Sequence, residues 1–173
     1  MIGERMQKAI NDQINAELYS AYLYLSMVSY FESVNLPGFA TWMRVQVQEE
    51  IAHAMKFFDY LHARGGRALV QPIAGPETQW ASPLTVFEAG YKHEQYVTGR
   101  INNLVKIARE EIDVATEILL QWYVTEQVEE ESNADQVIQK LKRAGDTPAA
   151  LFMMDQELGT RVFVPPTPAG AAP

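Results

Sequence analysis

Apolar residues recur three and four positions apart along most of this chain, a spacing typical of amphipathic helices. Proline and glycine, which interrupt such a spacing, are confined to a few short stretches between the apolar runs. The pattern therefore predicts four long helices, A to D, and a short fifth helix, E. The predicted helices cover residues of about 5–34, 38–64, 83–111, 113–143 and 147–157.

The break between helices C and D is the least marked of these boundaries. The apolar pattern continues through Ile112, and only Asp113 offers a cap for a new helix. An uninterrupted helix of about 60 residues would be far longer than is usual in a domain of this size. We therefore expect a turn between the two helices.

The lengths of the links between the helices predict how they pack. Short links join A to B and C to D, so each pair should be antiparallel. About 17 residues, including Pro72 and Pro76, join B to C, which is enough to run the length of a bundle and leave C parallel to B. The predicted fold class is all-α: a four-helix bundle with one long B–C crossover and a short fifth helix. We assign this domain to residues 1–163 and expect residues 164–173, rich in proline and alanine, to be a flexible tail.

Each of the four long helices carries a glutamate in the middle of its apolar face. These residues are Glu17, Glu50, Glu94 and Glu130. A buried carboxylate is costly unless partners compensate its charge, and four of them would repel one another. Either the glutamates are protonated and share hydrogen bonds, or cations neutralise them. The second reading is favoured because His53 follows Glu50 by three residues, which directs a carboxylate and an imidazole to one point.

Composition narrows the chemistry of such a site. The chain has 173 residues, no cysteine, and 22 acidic against 14 basic side chains, which gives a net charge of −8. Without cysteine, a disulfide scaffold, a thiolate zinc site, an iron–sulfur cluster and a cysteine nucleophile are excluded. Carboxylates with one imidazole suit iron or manganese, whereas softer metals prefer sulfur.

Charge and hydropathy also limit the partners. The acidic balance argues against nucleic acid, because phosphate binding needs clustered lysine and arginine. No run approaches the 18 or so apolar residues of a membrane-spanning helix, and the first residues lack the apolar core of an export signal. We therefore expect a cytoplasmic protein with no membrane partner.

Several residues near the glutamates have two readings each. Glu49, Glu126 and Glu129 form either a solvated acidic face or a second, wetter cation site or exit path. Tyr24 lies about two helical turns from Glu17, where it is either a packed core residue or a hydrogen-bonding or redox partner of the metals. Both pairs of readings remain open at this point.

Three stretches give the chain a recognisable resemblance. They are QINAE at residues 13–17, QEEIAHA at 48–54 and QWYVTEQ at 121–127. With them the chain resembles a non-haem ferritin of the bacterial and archaeal type, over nearly all of its length to about residue 163. The resemblance implies a ferritin-like bundle and an iron storage protein. Such a protein is a ferroxidase that oxidises Fe(II) with O2 or peroxide at a di-iron centre. It stores the Fe(III) mineral inside a hollow homo-oligomeric shell of twenty-four subunits.

The resemblance also implies roles for the central residues. It assigns Glu17, Glu50 and His53 to one iron. It makes Glu50 a bridge to a second iron, which Glu94 and Glu130 hold.

The same resemblance extends to five neighbouring residues. Gln127 matches a position near the oxygen-binding side of the centre, and Tyr24 matches the family's tyrosine beside it. Glu49, Glu126 and Glu129 match the positions of a third iron site.

Departures from related families sharpen this reading. Symmetrical di-iron bundles carry a second Glu-x-x-His on the fourth helix, where this chain has residues 127–130, QVEE. The asymmetry should leave the second iron more weakly held. Bacterioferritins ligate haem through a methionine directly after the helix-B glutamate. This chain has Ile51 at that position, so no haem is predicted. Met43 and Met55 are the methionines nearest to it in the same helix. Rubrerythrin-like peroxidases need a cysteine-ligated iron, which this chain cannot form.

Two other classes compete with iron storage. One is a di-iron enzyme acting on an organic substrate, which would need a substrate pocket and a reductase partner. The other is a helical module without enzymatic activity, whose glutamates are simply protonated.

Overall fold

In the computed structural model, which describes residues 1–145 and 147–166, the chain forms five α-helices and these residues contain no strand. The helices are α1 (Glu4–Ser33), α2 (Pro37–Ala63), α3 (Pro83–Glu110), α4 (Val114–Ala144) and α5 (Pro148–Leu158). They match the predicted helices A to E to within one residue at each end, which confirms the all-α fold class. Residues 167–173, most of the predicted flexible tail, lie outside the described residues, and the domain boundary stays a prediction.

The long link between α2 and α3 runs along α1 from one end of the bundle to the other. Early in the link, the Arg67 backbone N–H donates to Gln7 Oε1 near the beginning of α1, at 3.0 Å. Later in the link, the Glu77 carbonyl accepts from Ser26 Oγ near the end of α1, at 2.7 Å. The link therefore runs parallel to α1, and α3 begins where α1 ends. Helix α3 is antiparallel to α1 and parallel to α2, as predicted.

The turn between α3 and α4 is present, but its apolar residue is not part of the core. Ile112 has a φ of 55° and is 83% exposed. The predicted turn is confirmed, and the apolar pattern that runs through Ile112 in the sequence does not correspond to burial of that side chain. A left-handed backbone at an isoleucine costs roughly 1–2 kcal/mol, and the next residue stabilises the turn. Asp113 caps α4 by accepting from the Thr116 backbone N–H at 3.2 Å, and it also accepts from Arg64 at 3.0 Å.

Helix α5 is anchored to the beginning of α2. Asp155 Oδ1 accepts hydrogen bonds from the backbone N–H groups of Gly38, at 2.7 Å, and Phe39, at 3.1 Å. These N–H groups belong to the first turn of α2 and have no partner within that helix, so Asp155 caps α2 from another element. A Cβ at Gly38 would lie 1.7 Å from the Asp155 carbonyl oxygen. Glycine at this position therefore allows the two helices to approach.

The core consists of two apolar clusters with a polar layer between them. One cluster includes Phe31, Phe39 and Phe87, and the other includes Phe57 and Tyr123. Buried polar residues from all four long helices fill the layer between the clusters. They are Glu17, Ser20, Gln46, Glu50, His53, Glu94, Gln127 and Glu130. In the described part of the chain, every helix is too short or too polar to cross a lipid bilayer.

Candidate metal centre

The polar layer brings the four predicted central glutamates together. Glu17, Glu50 and Glu94 are each 1% exposed and Glu130 is 3% exposed. Each stands on the buried face of a different helix, where it has at least one buried apolar neighbour three or four positions away, such as Ala21, Ala54, Val97 and Ala134. The layer is thus an acidic interior at mid-height of the bundle.

Three residues of α1 and α2 form the first group that could hold a cation. Glu17, Glu50 and His53 each offer one ligand atom, and these atoms lie within 4.8 Å of one another. His53 Nδ1 is 3.7 Å from Glu50 Oε2. Glu17 Oε2 and Glu50 Oε2 are buried and have no hydrogen-bond partner. Buried carboxylate oxygens without partners are rare in native proteins, so this group fits a cation better than a set of internal hydrogen bonds.

A second group shares the histidine. His53, Glu126 and Glu130 also place one ligand atom each within 4.8 Å of one another. His53 Nε2 is 3.8 Å from Glu126 Oε1, on the side of the ring away from Glu50. The imidazole therefore stands between two acidic groups, one on α1 and α2 and the other on α4.

Glu94 belongs to neither group, and both of its carboxylate oxygens have protein partners. The Tyr24 hydroxyl donates to Glu94 Oε1. Gln127 Nε2 lies 3.2 Å from Glu94 Oε2 and 3.2 Å from the Glu94 carbonyl oxygen. The predicted neighbours Tyr24 and Gln127 thus hold Glu94 in place.

Two buried glutamines support the other ligand candidates in matching ways. Gln13 Nε2 donates to Glu17 Oε1 at 2.9 Å, and Gln13 Oε1 accepts from Arg100 Nε at 2.9 Å. On the other side of the layer, Gln46 Nε2 donates to Glu130 Oε2 at 2.8 Å. Each glutamine thereby fixes one carboxylate oxygen and leaves the other free to face the layer.

Gln46 is held in turn by the C-terminal part of the chain. Its Oε1 accepts from the Arg161 guanidinium, which also donates to Glu49 Oε2 at 2.8 Å. Both glutamines are 1% exposed.

Burial raises the pKa of all four central glutamates above the ordinary value of 4.5. For Glu130, burial first and repulsion by Glu94 second bring the pKa to about 7. The pKa of His53 is also raised: burial acts to lower it, but Glu126 and Glu50 on its two sides outweigh that effect. A metal cation that binds a carboxyl group with a raised pKa displaces its proton.

Comparison with known proteins agrees with a carboxylate layer inside a helical bundle. The family model of the ferritin-like domain matches residues 7–144, well over half of the chain. The chain belongs to the ferritin family.

Two curated relatives of this ferritin span nearly its full length. A bacterial non-heme ferritin of Bacteroides fragilis is 48% identical over 161 residues, which cover 93% of this chain and 100% of the relative. A bacterial non-heme ferritin of Staphylococcus aureus is 37% identical over 163 residues, which cover 94% of this chain and 98% of the relative. The predicted resemblance to bacterial non-haem ferritins is confirmed.

Solved structures agree with the fold. An Archaeoglobus fulgidus ferritin engineered into a closed form is 54% identical and has a TM-score of 0.94, covering 95% of this chain and all of that one. A second structure, described as an open pore ferritin of the same archaeon, is 53% identical, with a TM-score of 0.92 and coverage of 94% and 100%. These similarities confirm the ferritin-like bundle with a short fifth helix.

The predicted third set of residues in this ferritin does not form a metal-binding group of its own in the described part of the chain. Glu49 is half-buried and faces Arg161, whereas Glu126 faces His53. Glu129 is exposed and belongs to neither of the two groups. Their role as a third cation site stays a prediction, as do the ligand roles of the central residues.

Sequence reasoning missed the residues that support the ferritin's carboxylates. Gln13 precedes Glu17 by four positions, and that spacing alone could have indicated a hydrogen bond along α1. The bond from Gln46 to Glu130 crosses from α2 to α4, and the bond from Arg161 comes from beyond α5. Helix periodicity contains no information about such long-range contacts.

Proposed function

We propose that this ferritin stores iron, and that it oxidises Fe(II) at a di-iron centre in the polar layer of each chain. One observation carries the proposal: Glu17 and Glu50 present buried carboxylate oxygens without hydrogen-bond partners beside the His53 imidazole. A cation gives such a pair of buried carboxyl groups the partner that the protein does not supply. Family membership and the non-heme ferritin relatives support iron as that cation.

Glu17, Glu50 and His53 would bind the first Fe(II). Glu94 and Glu130, together with Glu50, would bind the second Fe(II). The raised pKa of the glutamates means that Fe(II) binding releases protons from them, and their negative charge then favours Fe(III) over Fe(II).

The electron balance of the oxidation is simple. Two Fe(II) ions give two electrons, which with two protons convert one O2 to H2O2, or one H2O2 to two waters. Gln127 and Tyr24 orient Glu94 during this step, because both donate hydrogen bonds to its carboxylate.

We further propose that Fe(III) leaves the centre past the acidic residues Glu49, Glu126 and Glu129 and enters a hollow shell of twenty-four subunits. The shared histidine supports this direction, since His53 faces the central group with one nitrogen and Glu126 with the other. The mass of the assembly in solution tests the shell. A very large particle is expected, whereas a small oligomer would favour a di-iron enzyme with an organic substrate.

The oxidation is tested with the double variant Glu50→Ala with His53→Ala. Rapid Fe(II) oxidation, followed by the absorbance of the ferric product, should disappear while the helical circular dichroism is retained. The control is Glu4→Ala with His62→Ala, which changes the same two residue types at exposed positions of α1 and α2 and should oxidise Fe(II) at the unchanged rate. Unchanged oxidation in the first variant contradicts the assignment. Stoichiometric iron binding in the unchanged protein would exclude a module whose glutamates are merely protonated.

A further inference from the structure

The residues after α5 return to the layer and place a positive charge beside it. We name residues 159–166 the C-terminal segment. Within it, the Arg161 guanidinium donates to Glu49 Oε2 at 2.8 Å and to Gln46 Oε1, and it lies 4.3 Å from the centre of the Trp42 ring. The side chains of Arg161 and Glu49 are only 19% and 18% exposed. This is a partly buried ion pair, stronger than an ordinary surface pair because water screens it less.

The end of the C-terminal segment covers the same acidic surface. Residues 164–166 line a cavity of about 230 Å³ together with Glu49, His53, Trp122 and Glu126. The cavity therefore lies between the shared histidine and the C-terminal segment. It lies along the path of a cation that moves from His53 past Glu126 toward Glu49.

Arg161 is the cation that compensates Glu49 in the described part of the chain. Burial raises the pKa of Glu49 to about 7, and the positive charge of Arg161 opposes that rise. A metal ion that binds Glu49 needs the oxygen that Arg161 now contacts. The guanidinium and the metal ion are therefore competitors for one carboxylate.

We propose that Arg161 regulates cation binding at Glu49, holding the carboxylate when cations are scarce and leaving it when a metal ion binds. The inference rests on the proposed function, in which Glu49 lies on the route of iron out of the centre. Arg161 sets the cation concentration at which that route opens. Because the same guanidinium contacts Gln46, which donates to Glu130, its departure also loosens the support of a central carboxylate.

The test is a zinc titration of crystals of the full chain, because Zn²⁺ binds carboxylates and imidazole without redox chemistry. Anomalous scattering gives the occupancy beside Glu49 at each Zn²⁺ concentration. In Arg161→Gln, half-occupancy is expected at about one-tenth of the concentration that the unchanged protein needs, a factor typical of one partly buried charged hydrogen bond. Arg161→Lys, which keeps the charge, should return the midpoint toward the unchanged value. In unchanged crystals with zinc beside Glu49, the guanidinium should have moved away from Glu49 Oε2.

The matched control is Arg109→Gln. It removes an arginine that pairs with a glutamate at the same distance, 2.8 Å from Arg109 Nε to Glu117 Oε1, in the α3–α4 region away from the layer. Its midpoint should equal that of the unchanged protein.

Zinc bound at Glu17, Glu50 and His53 serves as the reference in every crystal. If zinc is present there but the midpoint beside Glu49 is the same with and without Arg161, the role of Arg161 is overturned and the proposed function stands. If zinc binds at Glu17, Glu50 and His53 but never beside Glu49 in any variant, the role of Arg161 is likewise overturned and the proposed function stands. Zinc at neither position would overturn the proposed function itself.

Discussion

At the scale of single residues, the layer depends on side chains that contact the carboxylates without being ligand candidates themselves. Gln13 and Gln46 each donate to one oxygen of a central glutamate and accept from an arginine at the other end. An amide held at both ends has one orientation, so the carboxylate that it contacts has one orientation as well. The layer is thereby preorganised for a cation.

The variant Gln13→Leu removes one of these supports at nearly constant volume. Glu17 Oε1 then loses its donor, and the Zn²⁺ affinity of the group of Glu17, Glu50 and His53 is expected to fall about tenfold or more. Isothermal titration with Zn²⁺ measures the change. Gln136→Leu, an exposed glutamine whose partner is Ser132, is the control and should leave the affinity unchanged. An unaltered affinity in Gln13→Leu would show that the amide does not position Glu17.

Glu130 makes the stability of the folded chain depend on pH. Its pKa is about 7 in the folded chain against an ordinary 4.5, so the unfolded chain loses this proton at lower pH than the folded chain. The stabilisation from Glu130 is complete below pH 4.5 and is lost as the pH rises to about 7.

Calorimetry in the presence of a chelator should therefore show a smaller fall of Tm between about pH 5 and pH 7.5 in Glu130→Gln than in the unchanged protein. The contribution of His93 to stability changes with pH in the opposite direction, because burial lowers the pKa of His93 to about 4. Its contribution is present above its ordinary pKa of 6.5 and is lost as the pH falls toward 4. If Tm falls equally steeply with pH in Glu130→Gln and in the unchanged protein, the raised pKa of Glu130 is contradicted.

At the scale of helices, the contact between α2 and α5 fixes where the C-terminal segment begins. Gly38 and Asp155 approach so closely that a methyl group at Gly38 would overlap the Asp155 carbonyl. The cap and the close approach act together, since the N–H groups of Gly38 and Phe39 both reach Asp155 Oδ1. The position of α5 thus depends on one small residue of α2.

Gly38→Ala should destabilise the chain by about 1–3 kcal/mol, the usual range for overpacking, and displace α5 from α2. Gly99→Ala is the matched control, because a Cβ at Gly99 in the interior of α3 meets no atom within 4 Å. That control should be stabilised by about 0.5–1 kcal/mol through helix propensity. Urea unfolding measures both changes, and limited proteolysis near residue 159 detects the release of α5. Equal stabilities for the two variants would contradict the close approach.

The positions of the helices could be predicted because they depend on residues that are close together in the sequence. Apolar spacing, with Pro83 and Gly65 at helix ends, located all five to within one residue. The same spacing placed Glu17, Glu50, Glu94 and Glu130 on inward faces, where the structure has them buried.

Other features were not predictable because they depend on three-dimensional contacts. A turn was expected between the third and fourth helices, but the positive φ of Ile112 within it was not, because the hydrophobic pattern does not report backbone conformation. Arg161 reaches Gln46 across 115 positions of the chain, and helix periodicity does not predict a contact at such a separation. The split of Glu49, Glu126 and Glu129 between different partners follows from the same long-range packing.

At the scale of the whole molecule, the polar layer divides the core into two apolar clusters and lowers the stability of the metal-free chain. Four carboxyl groups with raised pKa values replace apolar side chains at the middle of the bundle. Any cation that binds the folded layer and not the unfolded chain will stabilise the fold by mass action.

Saturating Zn²⁺ should therefore raise Tm. At a free Zn²⁺ concentration of 100 times Kd the gain is about 2.7 kcal/mol, which corresponds to roughly 5–10 °C for a chain of this size. Differential scanning calorimetry with Zn²⁺ and with a chelator gives the difference. Glu50→Ala with His53→Ala should lose most of the shift, whereas Glu4→Ala with His62→Ala should keep it. A shift of the same size in all three proteins would mean that zinc acts elsewhere on the surface.

The two buried oxygens without partners, on Glu17 and Glu50, have a consequence for the life of the protein in a cell. Proteases cleave the opened chain, and the population of opened chains falls as the folded state gains a ligand. A chain made when iron is scarce is thus the form most quickly degraded, and a chain with an occupied centre is protected. The rate of turnover of this ferritin would then follow the iron supply without any separate sensor.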